Sequence, residues 1–108
     1  MDAYVLIMNW NYTYDKEGTW FDQESGKEVY ELKEGASYSL PHIWRKSLGI
    51  RSVFKEGDTV RTEIYVDSHT ATVLNDGKPV VTHASYDYTA GGDSVSESLA
   101  LTLTIEKK

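Results

Sequence analysis

Hydrophobic and polar side chains alternate along both ends of the chain, a pattern typical of β-strands. Across residues 3–14 the main apolar face consists of Tyr4, Leu6, Met8, Trp10, Tyr12 and Tyr14. The opposite face is apolar in its first half only, at Val5 and Ile7. In the last segment, one set of alternate positions consists of Val95, Leu99, Leu101, Leu103 and Ile105, and these share one face of a strand. The positions between them include Ser96, Ser98, Thr102 and Thr104, on the other face. This predicts a half-buried strand with Leu101 in the core.

Four further segments are enriched in β-branched and aromatic residues and are predicted to be strands: 28–32, 59–66, 71–74 and 80–88. Residues that favour turns separate them. The triplet Asn75-Asp76-Gly77 predicts a hairpin between its flanking strands, since these residues tolerate left-handed backbone angles. Pro79 then lies at a strand start or a sheet edge. Further turns are predicted at three Lys-Glu-Gly tripeptides, which end at Gly18, Gly35 and Gly57, and at Gly91-Gly92.

One segment, residues 40–48, has the spacing of a short helix. Leu40, Ile43, Trp44 and Leu48 fall on one helical stripe. Ser39 could cap such a helix, Pro41 suits its first turn and Gly49 its end. Trp44 would then anchor it on the sheet. Nine residues hold a helix only with tertiary support, so an irregular crossover is the alternative.

The fold class predicted from these patterns is all-β: an antiparallel β-sandwich or small β-barrel of about seven to eight strands. With 108 residues and no division in composition, residues 1–108 are predicted to form a single β-rich domain. The chain has no cysteine, which excludes disulfides and thiolate metal sites. Strand order and oligomeric state cannot be predicted from the alternation.

Charge narrows the class of partner. The formal net charge is −6, and lysines and arginines are scattered in runs of at most two. Such a chain repels nucleic acid and anionic lipid, so neither nucleic acid nor membrane is expected as a partner. The N-terminal apolar run is too short for a signal peptide or a membrane span. If Met1 is the native start, a cytoplasmic location is expected.

Candidate catalytic residues are few. His83, Ser85 and Asp87 share a strand face, but neighbours two residues apart lie roughly 7 Å apart with parallel side chains, which disfavours a hydrogen-bonded dyad. A polar, solvated face is the alternative. His42 is the remaining weak candidate for a histidine–carboxylate pair. The three histidines lack metal-ligand spacing, and no cofactor motif is present, so neither metal nor cofactor is expected.

Aromatic residues give the main indication of function. Eight tyrosines and three tryptophans against two phenylalanines supply rings with polar groups, which suit half-exposed contact surfaces. The candidate binding residues are Trp10, Tyr12, Tyr14, Trp20, Tyr86 and Tyr88.

The sequence therefore favours a small acidic intracellular binding module, an inhibitor or immunity-type protein that occludes a basic site on a protein partner. One alternative is a β-domain that binds a small molecule or carbohydrate at an aromatic-lined site. A second is an enzyme with a histidine–carboxylate pair, although the absence of a catalytic motif makes a non-enzyme the preferred reading.

Overall fold

The computed structural model describes residues 3–108, which form eight strands and no helix. The strands are β1 (Tyr4–Lys16), β2 (Trp20–Glu31), β3 (Ser37–Ser39), β4 (Ser47–Glu56), β5 (Thr59–Val66), β6 (His69–Leu74), β7 (Val80–Ala90) and β8 (Asp93–Lys107). One sheet has the order β2-β1-β8-β7 and the other β3-β4-β5-β6. All paired strands are antiparallel. The predicted all-β class is confirmed, in its sandwich form.

The central strands of the first sheet, β1 and β8, supply one side of the core. Their register places Trp10 opposite Leu101 and Met8 opposite Leu103. All four side chains are buried. The alternation predicted for both ends of the chain is thus confirmed, including the inward orientation of Leu101. Side chains of the second sheet form the other side of the core: Leu48, Ile50, Val60, Ile64, Val66 and Val73.

The helix predicted near residues 40–48 is wrong. His42 has a φ of 62°, a left-handed angle that ends any right-handed helix there, and Lys46 N–H closes a tight turn on the carbonyl of Ile43. Leu40, Ile43 and Leu48 are still buried, whereas Trp44 is 70% exposed and does not anchor the segment. A turn followed by the start of β4 buries these three positions as well as a helix would, so the irregular alternative holds.

The hairpin predicted at Asn75-Asp76-Gly77 is also wrong, because β6 and β7 belong to different sheets. Asn75 instead holds the turn against the β4–β5 hairpin. Its side-chain oxygen accepts the N–H of Val60 at 2.9 Å, and its amide nitrogen donates to the carbonyl of Asp58 at 2.9 Å. Gly77 does take the expected left-handed angle. The sequence identified the turn itself. Whether the strands on either side of it pair with each other depends on contacts between residues far apart in the sequence.

The other predicted turns are present. Gly18 and Gly57 close the β1–β2 and β4–β5 hairpins, and Gly91 and Gly92 close β7–β8, all with positive φ. Gly35 instead lies where the chain passes from one sheet to the other. Within residues 3–108 the structure contains no helix that could span a bilayer.

The two sheets differ in length, and this difference creates the candidate site. Strands of the first sheet have 11 to 15 residues, whereas those of the second have 3 to 10. At one end Lys55 of the second sheet reaches the ring of Tyr4. At the other, the carboxylate of Asp67, in the β5–β6 turn, lies close to the backbone of Ser85. Beyond Ser85 the first sheet continues as two hairpins, residues 12–24 and 85–97, which we call the hairpin end.

Candidate functional site

A cluster of tyrosines surrounds one carboxylate on the inner face of the hairpin end. The sheet register places Tyr14 and Tyr86 directly on either side of Glu97. Tyr12 and Tyr88 lie one inward-facing position away from them along β1 and β7. The Tyr12 hydroxyl donates a hydrogen bond to Oε1 of Glu97. Four of the six predicted binding residues are therefore brought together.

Glu97 is the residue that sequence reasoning missed. It is only 6% exposed, and a buried carboxylate is stable only when hydrogen-bond donors satisfy it. A signal was available, because Glu97 occupies the core-facing parity of β8 between Val95 and Leu99. An acidic residue at an inward position of an amphipathic strand indicates that this part of the strand no longer faces the apolar core.

The cluster changes the acidity of its phenols. Burial, followed by the hydrogen bond to Glu97, raises the pKa of Tyr12 above its usual range. Burial and the same carboxylate raise the pKa of Tyr88 to about 12 and also raise the pKa of Tyr86. Each phenol therefore stays protonated at neutral pH and can act as a hydrogen-bond donor toward Glu97.

The irregular segment at 40–46 covers one side of this cluster. His42 stacks on Tyr12 with ring centroids 4.5 Å apart and meets the edge of Trp10 at 5.5 Å. Its Nε2 lies 2.9 Å from Oε2 of Glu24 on β2. This is a histidine–carboxylate pair of the kind expected for the enzyme alternative. The His42 and Glu24 side chains are 37% and 56% exposed, however, and neither lines the groove described next.

An open groove of about 350 Å³ lies between this segment and β7, lined by Trp44, Arg45, Tyr86, Tyr88 and Thr89. Arg45 stacks on the indole of Trp44, with its guanidinium carbon 4.5 Å from the ring centroid. Aromatic faces, hydroxyls and one cation thus line a concavity large enough for one long side chain or one sugar ring.

The remaining predicted site residues lie elsewhere. Trp10 is buried, with its ring directly over Gly26 of β2. Trp20 lies at the β1–β2 turn and is 63% exposed. His83 and Asp87 are exposed on the outer face of β7, away from the tyrosines, where Asp87 accepts a hydrogen bond from Ser96 at 2.8 Å. No group of three or more potential metal ligands occurs among residues 3–108.

Charge is distributed unevenly between the hairpin end and the rest of the chain. Residues 12–24 and 85–97 contain seven carboxylates (Asp15, Glu17, Asp22, Glu24, Asp87, Asp93 and Glu97) and one lysine (Lys16), a net charge of −6. All other residues together contain ten acids and ten bases. The formal net charge of the whole protein is therefore located at the hairpin end.

Comparison of the chain with protein-family models, with curated proteins and with solved structures gave no match.

Proposed function

We propose that this protein is a small binding module, of the inhibitor or immunity type, that engages a basic surface of a protein partner through its hairpin end. The observation that carries the proposal is the coincidence of charge and exposed aromatic residues. The hairpin end holds the whole net charge of −6. Trp20, Phe21 and Tyr88 are there too, with 63%, 62% and 37% exposure, and Trp44, which is 70% exposed, lines the groove next to Tyr88.

These two features contribute differently to binding. Exposed tryptophan and tyrosine side chains lose little conformational entropy when they are buried against a partner, and they provide much of the affinity in many protein interfaces. Carboxylates around them attract a basic surface at long range and accelerate association. An acidic rim with aromatic anchors is therefore suited to a basic partner.

The groove suggests how one anchor contact would form. The stacking of Arg45 on Trp44 demonstrates that a guanidinium fits the face of this indole. An arginine or lysine of the partner that entered the groove would meet the rings of Tyr86 and Tyr88, with the Glu97 carboxylate behind them. Cation–π attraction and the carboxylate would then act together.

The test is affinity co-purification from the native host with the wild-type protein and three variants. Trp44→Ala removes an exposed ring of the site and Glu97→Gln removes its recessed charge. Val81→Ala serves as the control, because Val81 is 58% exposed on the outer face of the same sheet. We expect the wild type and the control to retain one basic protein, the Trp44 variant to lose it, and the Glu97 variant to bind less.

Salt provides the decisive second measurement. Binding driven by the charge of the hairpin end should weaken as ionic strength rises, since salt screens exposed charges. Retention of a basic partner that is equally strong at all salt concentrations, or equal capture by the Trp44 variant, would contradict the proposal. So would the absence of any retained protein.

The concave shape of the groove favours a carbohydrate ligand as a second candidate. Aromatic faces that stack on a sugar ring, together with hydroxyl and guanidinium donors, are typical of such sites. A glycan array followed by NMR titration distinguishes the two candidates. A sugar that shifts the indole signal of Trp44, with little dependence on salt, would support the carbohydrate candidate.

A further inference from the structure

The two outer strands of the first sheet present very different free edges. Among residues 3–108, β2 has a single strand neighbour, β1. Just past the end of β2, the N–H of Leu32 bonds to Tyr4 on the β1 side. On the opposite side, the N–H of Gln23 bonds to Asp22 Oδ1 and the carbonyl of Glu31 accepts from the Tyr38 hydroxyl. The odd-numbered residues of β2 therefore direct their backbone groups toward the free edge.

The free edge of β7 is protected. Asp67, in the β5–β6 turn of the other sheet, lies close to the backbone of Ser85, and Lys46 holds the Asp67 carboxylate at 2.6 Å. Pro79, which has no N–H, precedes the strand. Such features commonly prevent an edge strand from pairing with another chain. On β2, by contrast, the interior of the strand has no cover of this kind from the second sheet among the described contacts.

Three of the nine exposed large hydrophobic residues among residues 3–108 lie on β2, more than on any other strand. Trp20, Phe21 and Val29 are 63%, 62% and 55% exposed. Phe21 and Val29 both lie on the outer face, because they are an even number of residues apart on the strand. They lie on either side of Ser25, each four residues away from it.

We infer that a second copy of this chain pairs with β2 through an antiparallel β2–β2 contact whose two-fold axis passes at Ser25. In this register Phe21 lies opposite Val29 of the second copy, and the reciprocal pair forms across the axis. Trp20 lies opposite Tyr30 in the same way on the inner face. The odd-numbered residues from 21 to 29 then meet odd-numbered residues, so their outward N–H and C=O groups can bond to one another once the N–H of Gln23 exchanges Asp22 Oδ1 for the second copy. The result is one continuous eight-stranded sheet with isologous symmetry.

One feature of this register opposes association and makes it testable by salt. Asp22 lies opposite Glu28 of the second copy, and each copy carries a net charge of −6. Like charges directly opposite in a sheet are unfavourable. Because salt screens this repulsion, self-association should strengthen as ionic strength rises, whereas capture of a basic partner should weaken. The two proposals share Trp20 and Phe21, but their opposite dependence on salt allows each to be tested separately.

Sedimentation velocity across a range of protein concentrations, at low and high salt, tests the dimer. Val29→Lys places a charge at the centre of the apolar pair and should weaken dimerisation about tenfold or more. Val81→Lys is the matched control: the same change on the same outer face, at a similarly exposed valine, but on the protected strand β7. It should leave dimerisation unchanged. A wild type that remains monomeric at all concentrations, or equal effects of both variants, would overturn the inference.

Disulfide cross-linking tests the register itself, since the chain contains no cysteine. The two Ser25 residues face each other at the axis, at a separation that a disulfide can bridge in an antiparallel pair. Ser25→Cys should give a covalent dimer under mild oxidation. Ser85→Cys, on the exposed outer face of β7, should stay monomeric under the same conditions. A monomeric Ser25 variant alongside a sedimenting dimer would reject this register, and cross-linking of both variants alike would reject a specific contact.

Discussion

The two halves of the first sheet use the same four strands in different ways. Where the second sheet covers them, the inward positions of β1 and β8 carry large apolar side chains, as at Met8, Leu101 and Leu103. At the hairpin end the same parity carries Tyr14 and Glu97. The hairpin end carries a net charge of −6, whereas all other residues of the chain together are neutral. The alternation of side chains continues through both halves of the first sheet, but the second sheet covers only one of them.

This contrast teaches that alternation identifies which side chains share a face, but not what covers that face. A period of two continues through both halves because it is a property of the extended backbone. Burial depends on what packs opposite: at the hairpin end this is the irregular segment at 40–46, in which His42 stacks on Tyr12, instead of the second sheet. Four predictions test how sharply the two halves differ.

The largest effect is expected in the covered half. Leu101 is fully buried opposite Trp10, so Leu101→Ala should lower the free energy of unfolding by about 2–5 kcal/mol through lost transfer energy and a cavity. Urea denaturation measures this. In the hairpin end, Tyr88→Ala should cost much less, since Tyr88 is 37% exposed. A loss below about 1 kcal/mol for the Leu101 variant would contradict the assigned core.

The next effect concerns the boundary between the halves. A Cβ at position 26 would lie 2.5 Å from the ring of Trp10, closer than real contacts allow. Gly26→Ala should therefore destabilise the protein by about 1–3 kcal/mol through overpacking. Ser25→Ala, at the neighbouring exposed position, should be nearly neutral in the same thermal and urea measurements. Equal stability of the two variants would mean that the indole moves aside freely.

A third effect is confined to alkaline pH. The pKa of Tyr88 is raised to about 12 by burial and by Glu97, above the value of about 10 for an unfolded tyrosine. The folded state therefore holds this proton more tightly than the unfolded state. Its stabilising contribution is complete below pH 10 and is lost as the pH rises toward 12.

Ultraviolet titration of the phenols, with a parallel stability measurement, tests this. Glu97→Gln should move the titration of Tyr88 toward the usual value, because the carboxylate is one of its causes. A titration curve that is unchanged in the variant would show that Glu97 does not control these hydroxyls.

The smallest effect on stability is expected for Trp44→Ala. With 70% of its side chain exposed, Trp44 contributes little to packing, and the change should lie within about 0.5 kcal/mol. The same variant should nevertheless lose the basic partner. If the unfolding curve of this variant instead shifts by as much as that of the Leu101 variant, Trp44 belongs to the core. The assignment of Trp44 to binding and not to packing would then be wrong.

Particular residues show how far the sequence led toward the site. Tyr12, Tyr14, Tyr86 and Tyr88 were predicted as candidate binding residues because they occupy alternate positions of a strand and carry a ring with a hydroxyl group. Glu97 was missed, although its place in the core-facing parity of β8 was visible. Trp44 and Arg45 could not have been assigned to the groove, because the helical spacing of the segment concealed the turn at His42.

The sequence by itself determined β1 and β5 to β8, the alternation of their faces, and the turns at Gly18, Gly57 and Gly91-Gly92, but not β3, β4 or the first half of β2. These are local properties, set by the two-residue period of extended chain and by the left-handed angles that glycine allows. Only the tertiary structure decided that Asn75-Asp76-Gly77 joins two sheets and that one sheet extends beyond the other. Those outcomes depend on contacts between residues far apart along the chain, such as Asn75 with Val60, and such contacts leave no local pattern.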